Sequence, residues 1–134
     1  MWLLDLGDNL FSSTIPTELG ALSFLFGLYL NGNYLTGTIP SELGGLPDLQ
    51  ELFLENNDLS GALPQAFDLL ALNITSLDLS NNTFLWGEIT EELCYIEELS
   101  FDCSPYLCGC NCSCSGNTSE TEWWLPSNST NTTL

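Results

Sequence analysis

The sequence predicts an α/β solenoid with a short parallel β-sheet on its concave face, and three observations lead to this fold class. Residues 2–99 contain four copies of one 24-residue unit, at spacings of 24, 24 and 25. Each copy places an apolar residue two positions, and an asparagine five positions, after its first leucine. Six cysteines cluster within 21 residues, from position 94 to 114 at the end of the repeats, which predicts a disulfide-stapled C-terminal cap. Such a period indicates units that bury their apolar faces against one another. The copies begin at Leu4, Leu28, Leu52 and Leu77.

The first element of each unit is a short strand. Leu28 and Leu30 are two positions apart, so they point to one side of an extended segment while Tyr29 points to the other. The paired leucines therefore face a core, and the residues that flank them face the concave side. Strands are expected at Leu4–Leu6, Leu28–Leu30, Leu52–Leu54 and Leu77–Leu79.

A turn and a helical return complete the unit. Asn33 follows the strand, and its amide has both donors and acceptors for buried peptide groups. Gly37 suits a turn that needs a positive φ, and Pro40 fixes φ where the chain leaves for the convex side. Leucines then recur every three residues from 43 to 49, which favours a 3₁₀ or loose helical return.

The second unit, LYLNGNYLTGTIPSELGGL from Leu28 to Leu46, resembles the plant-type leucine-rich repeat, LxLxxNxLxGxIPxxLxxLxxL. The first and third units match nearly as well. The fourth has one extra residue before Gly87, and Thr90 replaces the proline. The resemblance covers about three quarters of the chain. It implies that each unit's asparagine turns inward and bonds backbone groups of the adjacent coil.

Composition excludes several function classes. The chain has 18 acidic residues and no Lys, Arg or His, so binding to nucleic acid is not expected. It can form no Ser-His-Asp triad, Cys-His pair or lysine Schiff base. The adjacent acids Glu91-Glu92 and Glu97-Glu98 are the remaining acid–base candidates, but such surface pairs are usually solvated. We therefore predict no enzyme, no cofactor and no metal site, and the carboxylates lack a calcium-loop signature.

Two readings of the acidic balance stay open. It is either a solvated surface that keeps the solenoid soluble or a specific acidic binding role.

Sequons point to secretion, to an extracellular or cell-surface location, and to glycosylation, although a chain rich in Asn, Ser and Thr produces some by chance. The sequons begin at Asn73, Asn81, Asn111, Asn117, Asn128 and Asn131.

We divide the chain into a solenoid (1–99), a Cys-rich cap (100–114) and a glycosylated Ser/Thr/Asn-rich tail (115–134). The six cysteines allow 15 pairings, among which sequence does not choose. The alternative is that the CxCxCxC run gathers thiolates around a soft metal, which the sequons and the lack of a His co-ligand disfavour. This Cys-rich ending resembles those of some algal, especially diatom, repeat proteins. The predicted disulfide residues are Cys94, Cys103, Cys108, Cys110, Cys112 and Cys114.

Both ends of the chain carry information. Met1 is followed at once by a repeat strand with no signal peptide, which predicts a mature segment or a fragment of a longer ectodomain. No stretch reaches the ~20 apolar residues of a membrane span. In the tail, Trp123 and Trp124 either fold back onto the solenoid or form a contact motif.

The predicted function is non-enzymatic recognition of a protein, peptide or glycan of neutral or basic character on the concave face. Aromatic residues within a polar rim are typical of recognition surfaces, although a solvated face with two incidental aromatics is the alternative. A structural glycoprotein that stacks end to end with its own copies is the second reading. The predicted ligand-binding residues are Asp5, Tyr29, Asn31, Glu51, Phe53, Glu55 and Asp78.

Overall fold

A computed structural model describes residues 1–102, and it shows two parallel β-sheets that run along the repeats. Each of the first four repeats contributes one strand to each sheet, and the nine strands are short. In chain order they are β1 (Trp2–Asp5), β2 (Ser12–Thr14), β3 (Leu25–Tyr29), β4 (Tyr34–Gly37), β5 (Glu51–Phe53), β6 (Asp58–Ala62), β7 (Ser76–Asp78), β8 (Phe84–Trp86) and β9 (Glu98–Ser100).

The first sheet has the strand order β1-β3-β5-β7-β9, and all its pairs are parallel. Its register aligns the first leucine of every unit, because Leu52 pairs with Leu28 on one side and with Leu77 on the other. The prediction that these leucines share one sheet is therefore confirmed. The strands begin earlier and end one residue sooner than expected. The hydrogen-bond ladder nevertheless continues, since Leu30 N donates to Phe53 O at 2.8 Å.

The second sheet, with the order β2-β4-β6-β8, was not predicted. A turn was expected around Gly37, whose φ of +76° does fit that expectation. The surrounding residues are nevertheless extended and pair with the next coil, for example Thr36 with Asp58. Once the leucines stack in register, the equivalent backbone of neighbouring coils lies side by side and can form hydrogen bonds.

The return segments are helical turns, as predicted. The 3₁₀ helices at Thr17–Ala21 and Ser41–Gly45 follow Pro16 and Pro40, whose φ values are −66° and −64°. The third unit instead makes one α-helical turn at Phe67–Leu70, and the fourth makes a 3₁₀ turn. These turns place leucines against the back of the first sheet, where Leu43 and Leu49 are fully buried.

The asparagines form a ladder through the solenoid. Asn57 Nδ2 donates to Leu30 O of the preceding coil at 2.9 Å, and its Oδ1 accepts from Leu35 N at 3.0 Å. Asn33 and Asn82 repeat the pattern and are likewise buried. The inward, coil-bridging asparagine that the repeat resemblance implied is thus confirmed in the second, third and fourth units, whereas Asn9 of the first unit is exposed and bonds Leu6 O and Gly7 O of its own coil. Each amide satisfies backbone groups for which burial without a partner costs about 1–3 kcal/mol.

The first coil exposes apolar surface along the outer edges of both sheets. Trp2 and Leu3 are 58% and 57% exposed, and the Trp2 ring lies 5.7 Å from that of Phe24. Strand β1 pairs only with β3, and β2 only with β4, within the described residues. End-to-end stacking through this edge stays a prediction.

Candidate recognition surface

The side chains of the first sheet that point away from the core form two aligned rows, which we call the sheet face. The central row contains Asp5, Tyr29, Phe53 and Asp78, which pair in register from β1 to β7. The register therefore brings four of the seven predicted ligand-binding residues into one line. The parallel row is Leu3, Gly27, Glu51, Ser76 and Glu98.

Tyr29 and Phe53 form an aromatic pair at the centre of this face. Their ring centroids lie 4.9 Å apart with an interplanar angle of 56°, a tilted arrangement that aromatic pairs favour. Gly27 leaves room beside the pair, because a Cβ there would lie 3.4 Å from Tyr29 Cε1 and 2.6 Å from Leu3 Cδ1. Both rings are half-buried, so they combine a fixed position with accessible surface.

The Tyr29 hydroxyl donates a hydrogen bond to Glu51 Oε2, across β3 and β5. This bond raises the pKa of Tyr29 from 10.0 to about 12, with smaller contributions from burial and from the charges of Glu51 and Asp5. A bond to an anionic acceptor raises the pKa because deprotonation would both break it and bring two negative charges together. The carboxylate of Glu51, one of the predicted ligand-binding residues, therefore already accepts a bond from a neighbouring side chain.

Asp5 and Asp78 are also engaged locally. Asp5 Oδ1 accepts from Gly7 N at 3.0 Å. Asp78 Oδ1 accepts from both Ser80 N, at 2.9 Å, and Ser80 Oγ, at 2.6 Å. In each case the carboxylate folds back onto the residue two positions ahead, which is the geometry of an Asx turn. These acids fix the path of the chain as it leaves the sheet.

Glu55 differs from the other acids of this surface. Its Oε2 has less than 1 Å² of exposed surface and no hydrogen-bond partner among residues 1–102. Burial raises the pKa of the Glu55 carboxyl, and the nearby charges of Asp78 and Asp8 act in the same direction, while a backbone hydrogen bond within the residue partly offsets them. One oxygen of the Glu55 carboxyl is therefore shielded from water without a donor from the described part of the protein.

The remaining predicted residue, Asn31, contributes mainly through its backbone. Its carbonyl accepts from Asp8 N at 2.9 Å and from Asn33 Nδ2 at 3.1 Å. Sequence reasoning also missed a contact at the far end of the face, where the buried Ser76 donates to Glu98 Oε2 at 2.9 Å. Glu98 lies on β9, a fifth strand that the departure of the fourth unit from the repeat pattern concealed.

Two of the six predicted glycosylation sites and one of the six predicted disulfide cysteines lie within the described residues. Asn73 and Asn81 are exposed, and their Nδ2 atoms donate to Pro47 O and Asn56 Oδ1. Cys94 is disulfide-bonded. The other predicted cysteines and sequons, together with Trp123, Trp124 and nearly all of the cap and tail, lie outside the described residues. The six-cysteine cap and the glycans therefore stay predictions.

The acid pairs weighed as catalytic candidates lie on the surface. Glu91, Glu92 and Glu97 are exposed, and Glu98 accepts the bond from Ser76. Among residues 1–102 there is no group of three or more acidic, Cys or His side chains arranged to hold a metal ion. In the same part of the chain, no helix combines the length and the hydropathy that crossing a membrane requires.

Comparison with known sequences adds a family match. Three consecutive segments, residues 24–46, 48–70 and 73–96, match the sequence profile described as Leucine Rich Repeat. Together they cover more than half of the 134 residues. A comparison with curated proteins finds no match.

Solved structures similar to this chain include plant receptors and an Arabidopsis ectodomain. The plant peptide hormone receptor RGFR1 in complex with RGF2 is 42% identical, covers 73% of this chain and superposes with a TM-score of 0.66. The BIR2 ectodomain from Arabidopsis thaliana is 36% identical over 78% of this chain, with a TM-score of 0.70. The Arabidopsis receptor kinase HAESA, in complex with the peptide hormone IDA and the co-receptor SERK1, is 34% identical over 82%, with a TM-score of 0.61. The chain spans 16%, 55% and 18% of those three chains, respectively.

Proposed function

This chain belongs to the leucine-rich repeat family, and we propose on that premise that it is an extracellular recognition module that binds a peptide or protein on its sheet face. The observation that carries the proposal is the Tyr29–Phe53 pair, half-buried at the centre of that face. The relatives support it, because RGFR1 is a peptide hormone receptor and HAESA binds a peptide hormone and a co-receptor. No catalytic role is part of the proposal.

The aromatic pair has the physical properties of a binding hot spot. Tyrosine and phenylalanine supply large contact areas with few rotatable bonds, so fixing them on binding costs little entropy. Tyr29 is held at both ends of its side chain, by packing against Phe53 and by its hydroxyl bond to Glu51. A ligand therefore meets rings that are already positioned, which lowers the ordering cost of association.

Charge restricts the partner. The chain has a formal net charge of −18 and no cationic side chain. Its field repels acidic partners and accelerates association with basic ones, an effect that salt screens over about 8–10 Å. A neutral or basic peptide or protein is therefore the ligand class that we propose, and a glycan is the alternative ligand for the same face.

The test is selection from a displayed library of random peptides against the full 134-residue chain. Enriched peptides are then synthesised and titrated against wild type, Tyr29→Ala and Phe53→Ala. We expect each variant to weaken binding by about 1–3 kcal/mol, the range for aromatic hot spots. Matched controls are Tyr95→Ala and Phe84→Ala, whose side chains are 84% and 68% exposed away from the sheet face. Equal losses in the controls, or peptides that ignore Tyr29 and Phe53, contradict the proposal.

Sedimentation separates recognition from the structural alternative. A recognition module that presents its sheet face to a ligand is expected to sediment as a monomer over a wide concentration range. Growth into polymers with concentration favours stacking through the exposed first coil, where Trp2 and Leu3 supply apolar surface. Trp2→Ser then tests the edge directly, because it removes that surface and leaves the sheet face unchanged.

A further inference from the structure

We propose that Asn81 carries an N-linked glycan whose first N-acetylglucosamine packs on the exposed rings of Phe84 and Trp86. This contact lies on the second sheet, so it does not depend on a ligand for the sheet face. It starts from the extra residue of the fourth unit, to which the proposed function gives no role.

The extra residue lies between the buried asparagine and the next buried leucine. One residue separates the two in the second and third units, whereas Thr83 and Phe84 separate Asn82 from Leu85 in the fourth. A tight turn takes up the added length, since Leu85 N donates to Asn82 O at 3.0 Å. Leu85 stays buried, while Thr83 and Phe84 are exposed. The insertion therefore adds surface at this turn and leaves the core intact.

The same insertion completes a glycosylation sequon. Thr83 is the hydroxyl residue of the Asn81-Asn82-Thr83 sequon, and the first three units have no sequon at this turn. Asn81 is exposed, and its Nδ2 donates to Asn56 Oδ1 at 2.9 Å. This bond fixes the direction of the Asn81 amide at the surface of the protein.

Glycosylation is compatible with that bond. The donor is a lipid-linked oligosaccharyl diphosphate. The bond between the sugar C1 and the diphosphate breaks, a bond between C1 and Asn81 Nδ2 forms, and one amide proton leaves. The second amide N–H is retained, so it still donates to Asn56 Oδ1. The sugar is therefore attached to a nitrogen whose position is already set.

Phe84 and Trp86 form an aromatic strip beside the sequon. They alternate with a buried leucine along β8, and their side chains are 68% and 55% exposed. Residues 83–87 line a groove on this surface, so the sequon threonine is part of it. The residues of β6 that pair with the two aromatics are Ser60 and Ala62, which are both small. Large apolar side chains that share an exposed groove are typical of a contact surface.

The position of the sequon identifies the occupant of this groove. Asn81 lies three residues before Phe84, and strand geometry places Phe84 and Trp86 about 6.6 Å apart. A pyranose ring has a face of C–H groups, whose slight positive charge suits the negative face of an aromatic ring. Because the sugar is covalently attached, its effective concentration at the groove is high. The contact also needs no cationic side chain, and this chain has none.

The experiment uses the full chain, secreted by a eukaryotic host and trimmed by an endoglycosidase to one N-acetylglucosamine per site. Mass spectrometry of its peptides measures occupancy at Asn81. In NMR spectra, the sugar protons at Asn81 should show nuclear Overhauser effects to the rings of Phe84 and Trp86. They should also shift upfield, because they lie over the ring faces. A sugar on Asn73, the other described sequon, is the internal control and should show no contact with these rings.

Matched variants at Thr83 measure the effect on stability. Thr83→Ser keeps the sequon, whereas Thr83→Ala removes it. Thr83→Ser should have the higher denaturant midpoint when the rest of the chain is unchanged. The difference between the two variants should vanish when Phe84→Ser and Trp86→Ser are added, because the glycan then has no rings to contact.

Three results would overturn the inference. They are an unoccupied Asn81, sugar protons that contact neither ring, and a difference between the Thr83 variants that persists without Phe84 and Trp86. Overhauser effects to these rings from another part of the chain, with none from the sugar, would show a different occupant and also overturn it. The NMR measurement uses the unaltered sequence, so it decides the question even if the variants are unstable.

Discussion

Tyr29 and Phe53, on neighbouring strands of the first sheet, pack with their ring centroids 4.9 Å apart, and the Tyr29 hydroxyl also bonds to Glu51 on the strand that carries Phe53. The tyrosine side chain is thus attached to β5 at two points, although it originates from β3. Attachment at two points removes rotamer freedom before any ligand arrives. It also couples the position of the Tyr29 ring to the ionisation of its own hydroxyl, which must keep its proton to donate the bond.

This coupling predicts an unusual alkaline titration. The pKa of Tyr29 is about 12 because the hydroxyl donates to Glu51 in a partly buried setting. Since the folded-state pKa is raised from 10.0, the stability that this group contributes is present below pH 10 and is lost as pH rises through 12. Tyrosinate absorbance, followed together with circular dichroism to report folding, should show one tyrosine with a midpoint near 12 that disappears in Tyr29→Phe. In Glu51→Gln that midpoint should move toward 10.0.

A titration in which Tyr29→Phe removes a tyrosine with an ordinary midpoint would contradict the hydroxyl–carboxylate bond. If the circular dichroism signal is lost at a pH below the Tyr29 midpoint, the chain has unfolded before Tyr29 ionises. Wild type and Tyr29→Phe are then compared by rapid pH jumps, which ionise tyrosines before the chain unfolds. The Glu51→Gln variant is the sharper control. It removes the charge and the strong acceptor but keeps a side chain of the same size at the Tyr29 hydroxyl.

A second prediction concerns the pH dependence of Glu55→Gln. Burial raises the pKa of Glu55 above 4.5, so the folded state disfavours its ionised form. The sign follows from linkage: the carboxyl causes no penalty while it is protonated below pH 4.5, and the penalty develops as pH rises through the folded-state pKa. Glu55→Gln should therefore unfold at a higher denaturant midpoint than wild type at neutral pH. The two proteins should converge in acid.

The control for this comparison is Glu91→Gln, which removes one charge at an exposed position. A stability gain of the same size in Glu91→Gln would show that the gain comes from reduced charge repulsion across the whole protein, which has a formal net charge of −18. A gain confined to Glu55→Gln assigns it to the desolvated carboxyl.

The sequence predicts the first sheet well because its signals are local and repeat in phase. Leucines at 28 and 52 pair as expected, and asparagines at 33, 57 and 82 bridge the coils. Each of these residues performs one role in every unit, so the spacing alone fixes its neighbour. The second sheet escapes prediction because its strands, three to five residues long, carry no pair of leucines two positions apart like the pair that marks the first sheet. Their pairing is a consequence of coil stacking and has no signal of its own.

The same limit applies to the sheet face. Register follows from the repeat, so the sequence places Tyr29 beside Phe53 without a structure. It does not distinguish Glu51 from Glu55, because both are glutamates at equivalent distances from Phe53. The difference arises from side-chain geometry between strands. The Tyr29 hydroxyl bonds Glu51, whereas Oε2 of Glu55 is shielded and has no partner in the part of the chain that the structure describes. Such cross-strand contacts require coordinates.

The asparagine ladder yields a third prediction. Asn57 Nδ2 donates to Leu30 O and to Leu54 O, so Asn57→Asp would place a negative oxygen against two carbonyl oxygens. We expect a loss of about 3 kcal/mol or more in the free energy of unfolding at neutral pH, since buried acceptors lose their donor and a charge is buried. The loss should shrink in acid, where the protonated carboxyl can donate one bond. Chemical denaturation at several pH values measures both effects.

Asn9→Asp is the matched control. Asn9 occupies the same place in the first unit but is exposed, and its Nδ2 donates only to Leu6 O and Gly7 O of its own coil. Water can solvate the new carboxylate there, so the loss should be well below that of Asn57→Asp. Equal losses at the two positions would show that the bonds between coils contribute little.

The last prediction concerns backbone strain at Ser13. In the second and third units the equivalent residues are Gly37 and Gly61, with φ of +76° and +89°. Ser13 adopts the same conformation, with φ of +88°, although it carries a Cβ. Positive φ costs a non-glycine residue about 1–2 kcal/mol, so Ser13→Gly should raise the free energy of unfolding by about 1 kcal/mol after the extra flexibility of glycine in the unfolded chain is subtracted.

Two further variants show whether the stability gain of Ser13→Gly comes from relief of the positive φ at that position. Ser12→Gly, next to it in the same strand, has no positive φ to relieve and should lower stability by about 0.5–1 kcal/mol. Gly37→Ala should be destabilising for two reasons, because φ is positive and the new Cβ would lie 2.9 Å from Thr14 Cγ2. Ser13→Gly should therefore have a denaturant midpoint above that of wild type, whereas Ser12→Gly and Gly37→Ala should have midpoints below it. If Ser13→Gly is no more stable than wild type, the coil relaxes that φ in solution, and the first unit is less constrained than its neighbours.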